Sequence, residues 1–511
     1  MKTKILLSAI FILFITSLAL PQNFMLNGTS IDSYISDMMK RWEIPGMSVA
    51  IVKGNDVIFA KGYGVRELGK SAPVNENTLF AIASNSKAFT GTAIALLDYE
   101  KKLSLDDKII KYFPDFKLYD DKWSQETTIK DVLTHRIGLG TFEGDFVTWG
   151  TTFSRTELIS KIRFVKPEYN FRDGYGYCNT GYLIGGEIVR IVSGESYDDF
   201  IKDKFFKPLE MTRTISSVSD LKNFDNVAAP HTYNYDNKMV PISWRNVDNL
   251  APAGGIISSA SDMAKWVILQ LNEGKYKGEQ IVPKAALLET QTPYNALQIP
   301  TRGIPSQTKR HFLTYGFGWF MGDYKGKLYL EHSGGYDGMV SRVAFMPDEN
   351  FGLVILTNND QNNAITTLMY QIFDEMTHSE TINWDSTNFA RSLPSIEQNK
   401  SAWDNVMLRK NTDVIPSFKM SNLTGTYSSE QAGKLFISEK NSKYILTLEC
   451  RPDMEITLDN FCGDTLTAVS NDFVLGRCLA PVKVTDGKVT SISIRVSDFV
   501  DPLYYEFFKK D

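Results

Sequence analysis

The sequence predicts an α+β protein in which an antiparallel sheet carries a helical subdomain and a small all-β domain follows. Three observations lead to this prediction. Apolar, β-branched segments lie at both ends of residues 24–378, and helical patterns lie between them. An antiparallel sheet closed by its first and last strands, with the helices inserted, accounts for that order. Beyond residue 420, short alternating strands replace the helices.

The chain has the size and composition of a globular protein with more than one domain. Its 511 residues are 43% hydrophobic and 23% charged, so a large core and at least two domains are expected. The formal net charge is -5, and no run of Lys and Arg forms a basic stripe. These features argue against a nucleic-acid partner.

Residues 1–19 have the order of a secretory signal. Lys2 and Lys4 precede the apolar stretch 5–15, and small residues follow up to Ala19. The alternative is a membrane anchor, but the apolar stretch is shorter than the ~20 residues that a spanning helix needs. We therefore expect a periplasmic or secreted protein with no stable membrane span after signal cleavage.

Residues 24–378 form the predicted first domain, which opens with a helix and a hairpin. Apolar residues recur at helical spacing from Ile31 to Trp42 behind the candidate cap Ser30. Two apolar strands, at residues 47–52 and 57–60, are separated by a turn-forming tetrapeptide. Further helices are predicted at residues 87–101, 129–134, 180–192, 261–271 and 364–376, and further strands at 315–320, 328–332, 340–346 and 352–357.

The remainder of the chain divides into a linker and a β domain. Residues 379–419 are polar, contain Pro394 and Pro416, and are predicted to be a linker that could hold one helix. Residues 420–511 contain short alternating strands and predict a barrel or a sandwich.

A candidate nucleophile lies in the pattern Ser84-Asn85-Ser86-Lys87. At the start of a helix, this spacing brings the lysine amine within hydrogen-bond reach of the serine hydroxyl. The pattern recurs at residues 219–222 and 306–309. Only the first copy follows an apolar segment and precedes a helix of small residues that would bury the lysine stem, and this context selects Ser84 and Lys87.

Tyr177-Cys178-Asn179 supplies a phenol that can pass protons and an amide that can hold a carbonyl or the lysine. A second copy, residues 235–237, lies in a polar, turn-like stretch, whereas the first leads into a helix. The segment His332-Ser333-Gly334-Gly335 closes an apolar strand, and its glycines would let a ligand backbone lie beside the strand edge. A hairpin turn is the alternative for this segment.

No cofactor or metal is implied by the sequence. The cysteines lack the paired spacing of a zinc site, and no HExxH motif occurs. A disulfide among Cys450, Cys462 and Cys478 is possible in an exported protein, although the sequence cannot select the pair. Residues 64–71 match a phosphate-loop formula, but the residues after them do not form the helix which that loop requires. His135 is interpreted as structural, because nothing nearby in sequence would orient it.

In this order along the chain, the three motifs resemble those of the penicillin-recognising serine hydrolases, specifically the class C β-lactamase and serine peptidase S12 branch. The resemblance covers about residues 30 to 377 and implies a β-lactamase/transpeptidase-like fold. Residues 420–511 are similar, more weakly, to the barrel-like appendages of some members. By position, the resemblance implies these roles: Ser84 as nucleophile, Lys87 as base, Tyr177 as proton relay, Asn179 as substrate or lysine holder, His332, Ser333, Gly334 and Gly335 along the substrate, and the N–H groups of Ser84 and Gly335 as oxyanion hole.

One departure from the family pattern bears on the substrate. His332 stands where β-lactamases and transpeptidases of this branch usually have lysine, so less positive charge is available for an antibiotic carboxylate. The resemblance therefore implies an exported serine hydrolase that forms an acyl-enzyme on Ser84. Its expected partner is a small-molecule or peptide substrate, with an amide, a peptide of D-amino acids or an ester as the cleaved group. Two alternatives are a β-lactamase and a non-hydrolytic protein that binds penicillin or cell-wall fragments, and the sequence leaves an oligomer possible.

Overall fold

The structure is a computed structural model that describes residues 24–299, 307–360 and 362–510. The predicted signal, residues 1–19, lies outside the described residues. Of the secondary-structure predictions, most are confirmed within a few residues, and the exceptions are given below.

The centre of the larger part of the chain is an antiparallel sheet. In chain order its strands are β1 (Gly46–Lys53), β2 (Asp56–Gly64), β3 (Asn295–Ala296), β4 (Leu313–Tyr315), β5 (Phe320–Tyr324), β6 (Lys327–Tyr336), β7 (Met339–Met346) and β8 (Phe351–Thr357). Within the described residues the spatial order is β3-β4-β5-β6-β7-β8-β1-β2. The early strand β1 pairs with the late strand β8, so the prediction of a sheet closed by its ends is confirmed.

Helices cover both faces of this sheet. They are α1 (Ile31–Arg41), α2 (Ser86–Tyr99), α3 (Asp121–Glu126), α4 (Ile129–Leu133), α5 (Asp145–Thr148), α6 (Arg155–Lys161), α7 (Asn179–Ser193), α8 (Tyr197–Ile201), α9 (Ala251–Gly254), α10 (Ala260–Leu271), α11 (Lys284–Thr290), α12 (Ala364–Thr377) and α13 (Trp384–Met407). None of the helices in the described ranges has the length and apolarity needed to cross a bilayer.

The continuous apolar character of β1 reflects burial on both faces. Val49 and Ile51 belong to a core with α1 and α12, whereas Ala50 and Val52 belong to a core with α2 and α10. Successive residues of a strand point to opposite faces, so both sets must be apolar. The N-terminal cap Ser30 is confirmed, because its Oγ accepts the Ser33 N–H over 3.2 Å.

The predicted strand at residues 315–320 is wrong. Strand β4 ends at Tyr315 and β5 begins at Phe320, with a turn in which the Gly316 N–H donates to the Trp319 carbonyl. Gly318 has a φ of +84°, and a Cβ there would lie 2.5 Å from the Ala88 backbone nitrogen of α2. The turn brings the sheet close to α2, which requires a glycine.

The predicted linker, residues 379–419, contains one long helix, as the sequence allowed. Residues 384–407 form α13, which contains Pro394. At its start, the Asp385 carboxylate accepts a hydrogen bond from Trp42 Nε1 over 2.7 Å and pairs with Arg41. The first turn of α13 is thereby fixed to α1.

The C-terminal strands form a closed antiparallel barrel, which decides between the two predicted β architectures. They are β9 (Gly425–Ser429), β10 (Gly433–Lys440), β11 (Lys443–Leu448), β12 (Arg451–Cys462), β13 (Thr465–Ser470), β14 (Arg477–Thr485), β15 (Lys488–Ile494) and β16 (Tyr505–Lys509). Strand β9 closes the barrel by pairing with β16, and alternating residues such as Leu435, Ile437 and Leu446 fill its interior.

Candidate active site

Ser84 lies in a strained turn at the start of α2. It occupies a 3₁₀ turn, Ala83–Asn85, and Ala83 has a φ of +48°. An alanine in this left-handed region costs energy and is found where the surroundings enforce it. Here Asn85 Nδ2 donates to Ser341 Oγ over 2.9 Å, and that hydroxyl donates to the Ile82 carbonyl over 2.7 Å. Strand β7 thus holds the turn that presents Ser84.

Lys87 lies one turn further along α2 and is fully buried. Its Nζ lies 3.1 Å from Ser84 Oγ and donates to Asn179 Oδ1 and to the Ala253 carbonyl, each over 2.6 Å. The predicted contact between Ser84 and Lys87 is present. The contact with Ala253 was not predicted, because a backbone carbonyl occurs at every residue and leaves no sequence signal.

The Asn179 side chain is held in one orientation by Asp145 of α5. Asn179 Nδ2 donates to Asp145 Oδ2 over 2.6 Å, so its Oδ1 faces Lys87. Burial raises the pKa of Asp145 to about 8, and Asp501 adds to this shift. The sequence did not reveal Asp145, since it belongs to no recognisable motif.

Burial lowers the pKa of Lys87 to about 7, and the negative charge of Asp145 opposes the shift. A charged amine loses hydration when it is buried, so the neutral form is favoured. A neutral lysine is the form that can accept a proton.

The ring of Tyr177 also lies beside the Lys87 amine. Lys87 Nζ is 4.7 Å from the centre of its ring, and burial raises the pKa of the phenol well above its usual value. The phenol oxygen has no hydrogen-bond partner of normal geometry among the described residues, although it is close enough to interact with Ser84. Tyr177 is therefore a protonated phenol facing Ser84.

His332 is a buried neutral imidazole on β6. Its Nδ1 is 2.6 Å from the Ser333 carbonyl and its Nε2 is 3.1 Å from the Tyr315 hydroxyl. The carbonyl can only accept, so Nδ1 carries the proton and Nε2 accepts from Tyr315. Burial lowers the pKa of His332 to about 3, and the positive charge of Lys87 contributes.

The two glycines of β6 have different surroundings. Residues 332–335 lie within β6, not in a hairpin turn. A Cβ on Gly334 would lie 2.2 Å from the Ile82 carbonyl oxygen, so this glycine lets the strand approach the Ser84 turn. A Cβ on Gly335 would instead lie 3.2 Å from the ring of Phe499, a barrel residue. Both glycines line the cleft, but only Gly334 is in close contact with the Ser84 turn.

All the predicted site residues except Lys87 line one cleft with a cavity volume of about 500 Å³, and Lys87 is fully buried behind Ser84. The cleft also contains residues that the sequence did not reveal: Phe142, Asp145, Trp149, Tyr175, Phe320, Arg342, Phe499 and Val500. Phe499 and Val500 come from the C-terminal barrel. The barrel therefore forms part of the cleft wall.

The competing motif copies lie elsewhere. Residues 219–222 form part of a surface 3₁₀ helix, and Ser306 lies outside the described residues. The Tyr235 hydroxyl donates to the Ser470 and Gly476 carbonyls and so joins the larger domain to the barrel. No helix begins directly after residues 64–71, as predicted, because the next helical turn starts only at Ala83.

His135 and the cysteines are structural. His135 is fully buried, and its Nδ1 accepts the Cys178 N–H over 3.0 Å. The cysteines, all within the described ranges, are unpaired, so the possible disulfide is not formed. No group of His, Cys, Asp and Glu among the described residues is arranged to hold a metal ion.

A serine, a lysine and a tyrosine meet at one cleft of this fold. This arrangement is typical of hydrolases that use an active-site serine. A family model described as Beta-lactamase matches residues 31–371, so the chain belongs to the β-lactamase family. The resemblance in the motifs is confirmed by this match.

Two curated relatives each match about two thirds of the chain. The chain is 27% identical over 370 residues to the unguisins hydrolase ungD' of Aspergillus campestris, which covers 68% of this chain and 66% of the relative. It is 29% identical over 335 residues to protein flp of Staphylococcus aureus, which covers 64% of this chain and 62% of the relative. The chain thus spans less than two thirds of the length of these relatives.

A solved structure shares the fold over nearly the whole chain. The octameric penicillin-binding protein homologue from Pyrococcus abyssi matches with a TM-score of 0.60 and 22% identity, covering 94% of this chain and 99% of that chain. The β-lactamase/transpeptidase-like fold is confirmed.

Proposed function

We propose that this protein is an exported serine hydrolase that forms an acyl-enzyme on Ser84 and cleaves amide, peptide or ester bonds. The observation that carries the proposal is the environment of Lys87, whose buried amine is 3.1 Å from Ser84 Oγ. Its other two partners, Asn179 Oδ1 and the Ala253 carbonyl, can only accept hydrogen bonds.

This environment sets the direction of the first proton transfer. A neutral lysine has two N–H groups and one lone pair. The two acceptors bind the N–H groups, so the lone pair faces Ser84, whose O–H then donates to it. As Ser84 Oγ attacks the carbonyl carbon, its proton moves to Lys87 Nζ. Between Lys87 and Tyr177, the directions of the two pKa shifts favour Lys87 as the base in the free enzyme.

Tyr177 then serves as the proton relay. Its phenol passes a proton to the leaving nitrogen or oxygen as the bond between that atom and the carbonyl carbon breaks, and Lys87 restores that proton. In the second half-reaction the pair accepts a proton from water as the water attacks the acyl-enzyme, and it returns a proton to Ser84 Oγ as the bond between Oγ and the acyl carbon breaks. The N–H groups of Ser84 and Gly335 bind the developing oxyanion, and a donor of this kind contributes ~10² to 10³ in rate.

The cleft favours small substrates with apolar groups. A cavity of about 500 Å³ accommodates a short peptide or an acyl ester. Phe142, Trp149, Phe320 and Phe499 give it an aromatic lining. His332 carries no charge at neutral pH, so it cannot hold an antibiotic carboxylate as a lysine would. A peptidase, including one for D-amino acids, an amidase or an esterase is therefore preferred to a β-lactamase.

The decisive test is covalent labelling followed by turnover. Treatment with a fluorophosphonate and mass analysis of the peptides should place the label on Ser84, and a label elsewhere would overturn the assignment. Turnover of p-nitrophenyl esters, D- and L-aminoacyl anilides and a chromogenic cephalosporin should be lost in Ser84→Ala. Ser219→Ala, in the surface copy of the same motif, is the matched control. A single burst without steady turnover would instead indicate a non-hydrolytic binding protein.

Export and assembly complete the proposal. The signal-like residues 1–19 support a periplasmic or secreted location, which fractionation of cells expressing the full chain would test. The octameric state of the penicillin-binding protein homologue from Pyrococcus abyssi supports an oligomer, which light scattering after gel filtration would test.

A further inference from the structure

The short helix α5 is held at both ends by residues of the C-terminal barrel. At the N-terminal end of α5, Asp501 Oδ2 accepts the N–H groups of Gly144 over 3.1 Å and Phe146 over 2.9 Å. Towards the C-terminal end of α5, Arg451 Nη2 donates to the carbonyl of Phe146 over 2.7 Å and to the carbonyl of Trp149. One acidic and one basic side chain of the barrel thus bind the backbone around α5.

These contacts are buried. Asp501 has no exposed surface, and Arg451 is 4% exposed. The Tyr505 hydroxyl donates to Asp501 Oδ2 over 2.6 Å, while the Tyr505 ring lies 5.0 Å from that of Phe146. Buried charges are costly unless hydrogen bonds satisfy them, so both side chains depend on the presence of α5 in this position.

Helix α5 in turn depends on the barrel. It has 4 residues, which is too short to be stable without tertiary contacts. It carries Asp145, whose carboxylate fixes the Asn179 amide, and that amide binds Lys87 Nζ. Hydrogen bonds to the backbone of α5, and from its Asp145 side chain through Asn179, therefore connect the barrel to the Lys87 amine beside Ser84.

We propose that Asp501 and Arg451 are positioning residues of the Ser84 site, holding α5 so that Asp145 and Asn179 keep Lys87 aligned with the nucleophile. The barrel is then an integral part of the active site. This inference rests on the proposed function, because it assumes that Lys87 activates Ser84.

The test compares Asp501→Ala with Asp501→Asn in the full chain. The rate of Ser84 labelling by a fluorophosphonate is measured across a pH series. Asp501→Ala loses the acceptor for both N–H groups, and we expect labelling to fall ~10- to 100-fold, as small misplacements in an active site do. As α5 loosens and water reaches the amine, the midpoint of the pH profile should rise from about 7. Asp501→Asn keeps an oxygen that can accept the same bonds and should stay close to the wild type.

A matched control separates positioning from general docking of the barrel. Tyr235→Phe removes hydrogen bonds of 2.9 Å to the Ser470 carbonyl and 2.8 Å to the Gly476 carbonyl, at a contact that does not involve α5. This variant should lower the unfolding temperature and leave the midpoint of the pH profile unchanged. If Asp501→Ala behaves in the same way, with wild-type labelling and only a lower unfolding temperature, the inference is wrong.

Two further outcomes are distinguishable. If Asp501→Ala does not fold, Arg451→Lys replaces it, since a lysine keeps the charge but cannot bridge the same carbonyls. Reduced labelling with a raised midpoint supports the inference, and wild-type behaviour contradicts it. A wild-type protein that is not labelled on Ser84 would overturn the proposed function itself.

Discussion

Asn179 Oδ1 lies 2.6 Å from Lys87 Nζ, and Nδ2 of the same amide donates to Asp145 Oδ2 over 2.6 Å, so the oxygen of the amide, not its nitrogen, faces the lysine. An uncharged acceptor in this position holds the amine without favouring its charged form as strongly as a carboxylate would. The low pKa of Lys87 and the identity of residue 179 are therefore linked.

The first prediction concerns the pH dependence of acylation. The pKa of Lys87 is lowered from 10.5 to about 7, and the neutral amine is the active form. Labelling of Ser84 should therefore rise about tenfold per pH unit in acid and level off above the pKa. Fluorophosphonate labelling across the pH series measures this, and a rate that continues to rise to the ordinary lysine range would contradict it.

The second prediction concerns Asn179→Asp. A carboxylate beside Lys87 favours the charged amine, so the pKa of Lys87 should rise and the acidic limb should move to higher pH. We expect labelling at neutral pH to fall ~10-fold or more, because one pKa unit changes the neutral fraction by that factor. Asn441→Asp, in an exposed hairpin of the barrel, makes the same change in net charge and should leave the profile unaltered.

Much of this site could be predicted because its elements are encoded locally. Ser84 and Lys87 are one helical turn apart, and their setting in a small-residue helix is visible in the sequence. The sheet could also be predicted, since strands such as β1 and β8 have strong apolar patterns. The false strand at residues 315–320 arose because the turn depends on Gly318 meeting α2, a contact distant in sequence.

The remaining site residues could not be predicted, since they act through distant contacts or through the backbone. The Ala253 carbonyl has no side-chain signature. Asp145 becomes recognisable only when α5 lies beside Asn179, and Phe499 reaches the cleft from a separate domain. None of these relationships has a fixed spacing in the chain.

The third prediction distinguishes the two glycines of β6 by stability. In Gly334→Ala the new methyl group would lie 2.2 Å from the Ile82 carbonyl oxygen and 2.9 Å from Ala83 Cβ, so the Ser84 turn must move. Overpacking of this kind costs ~1–3 kcal/mol of the free energy of unfolding. In Gly335→Ala the nearest neighbour is the ring of Phe499, at 3.2 Å, which can rotate.

Denaturant unfolding of both variants measures this difference. Gly334→Ala should be clearly less stable than Gly335→Ala. Equal stability would mean that β6 and the Ser84 turn are not in the close contact seen in the structure.

The fourth prediction concerns the size of the substrate. The Phe499 ring lies over Gly335 in the cleft wall, yet 51% of the residue is exposed, so its removal widens the cleft at little cost in stability. In Phe499→Ala we expect kcat/KM to rise for p-nitrophenyl esters of long or branched acyl groups relative to acetate. Catalysis on acetate itself should change little, because the Phe499 ring has no polar group that could take part in the proton transfers among Ser84, Lys87 and Tyr177. Phe508→Ala removes a similarly exposed ring, 54%, from barrel strand β16 and is the matched control. If both variants show the wild-type order of preference along the ester series, Phe499 does not limit the size of the acyl group. The limit on substrate size then lies with the cleft residues that the larger domain contributes.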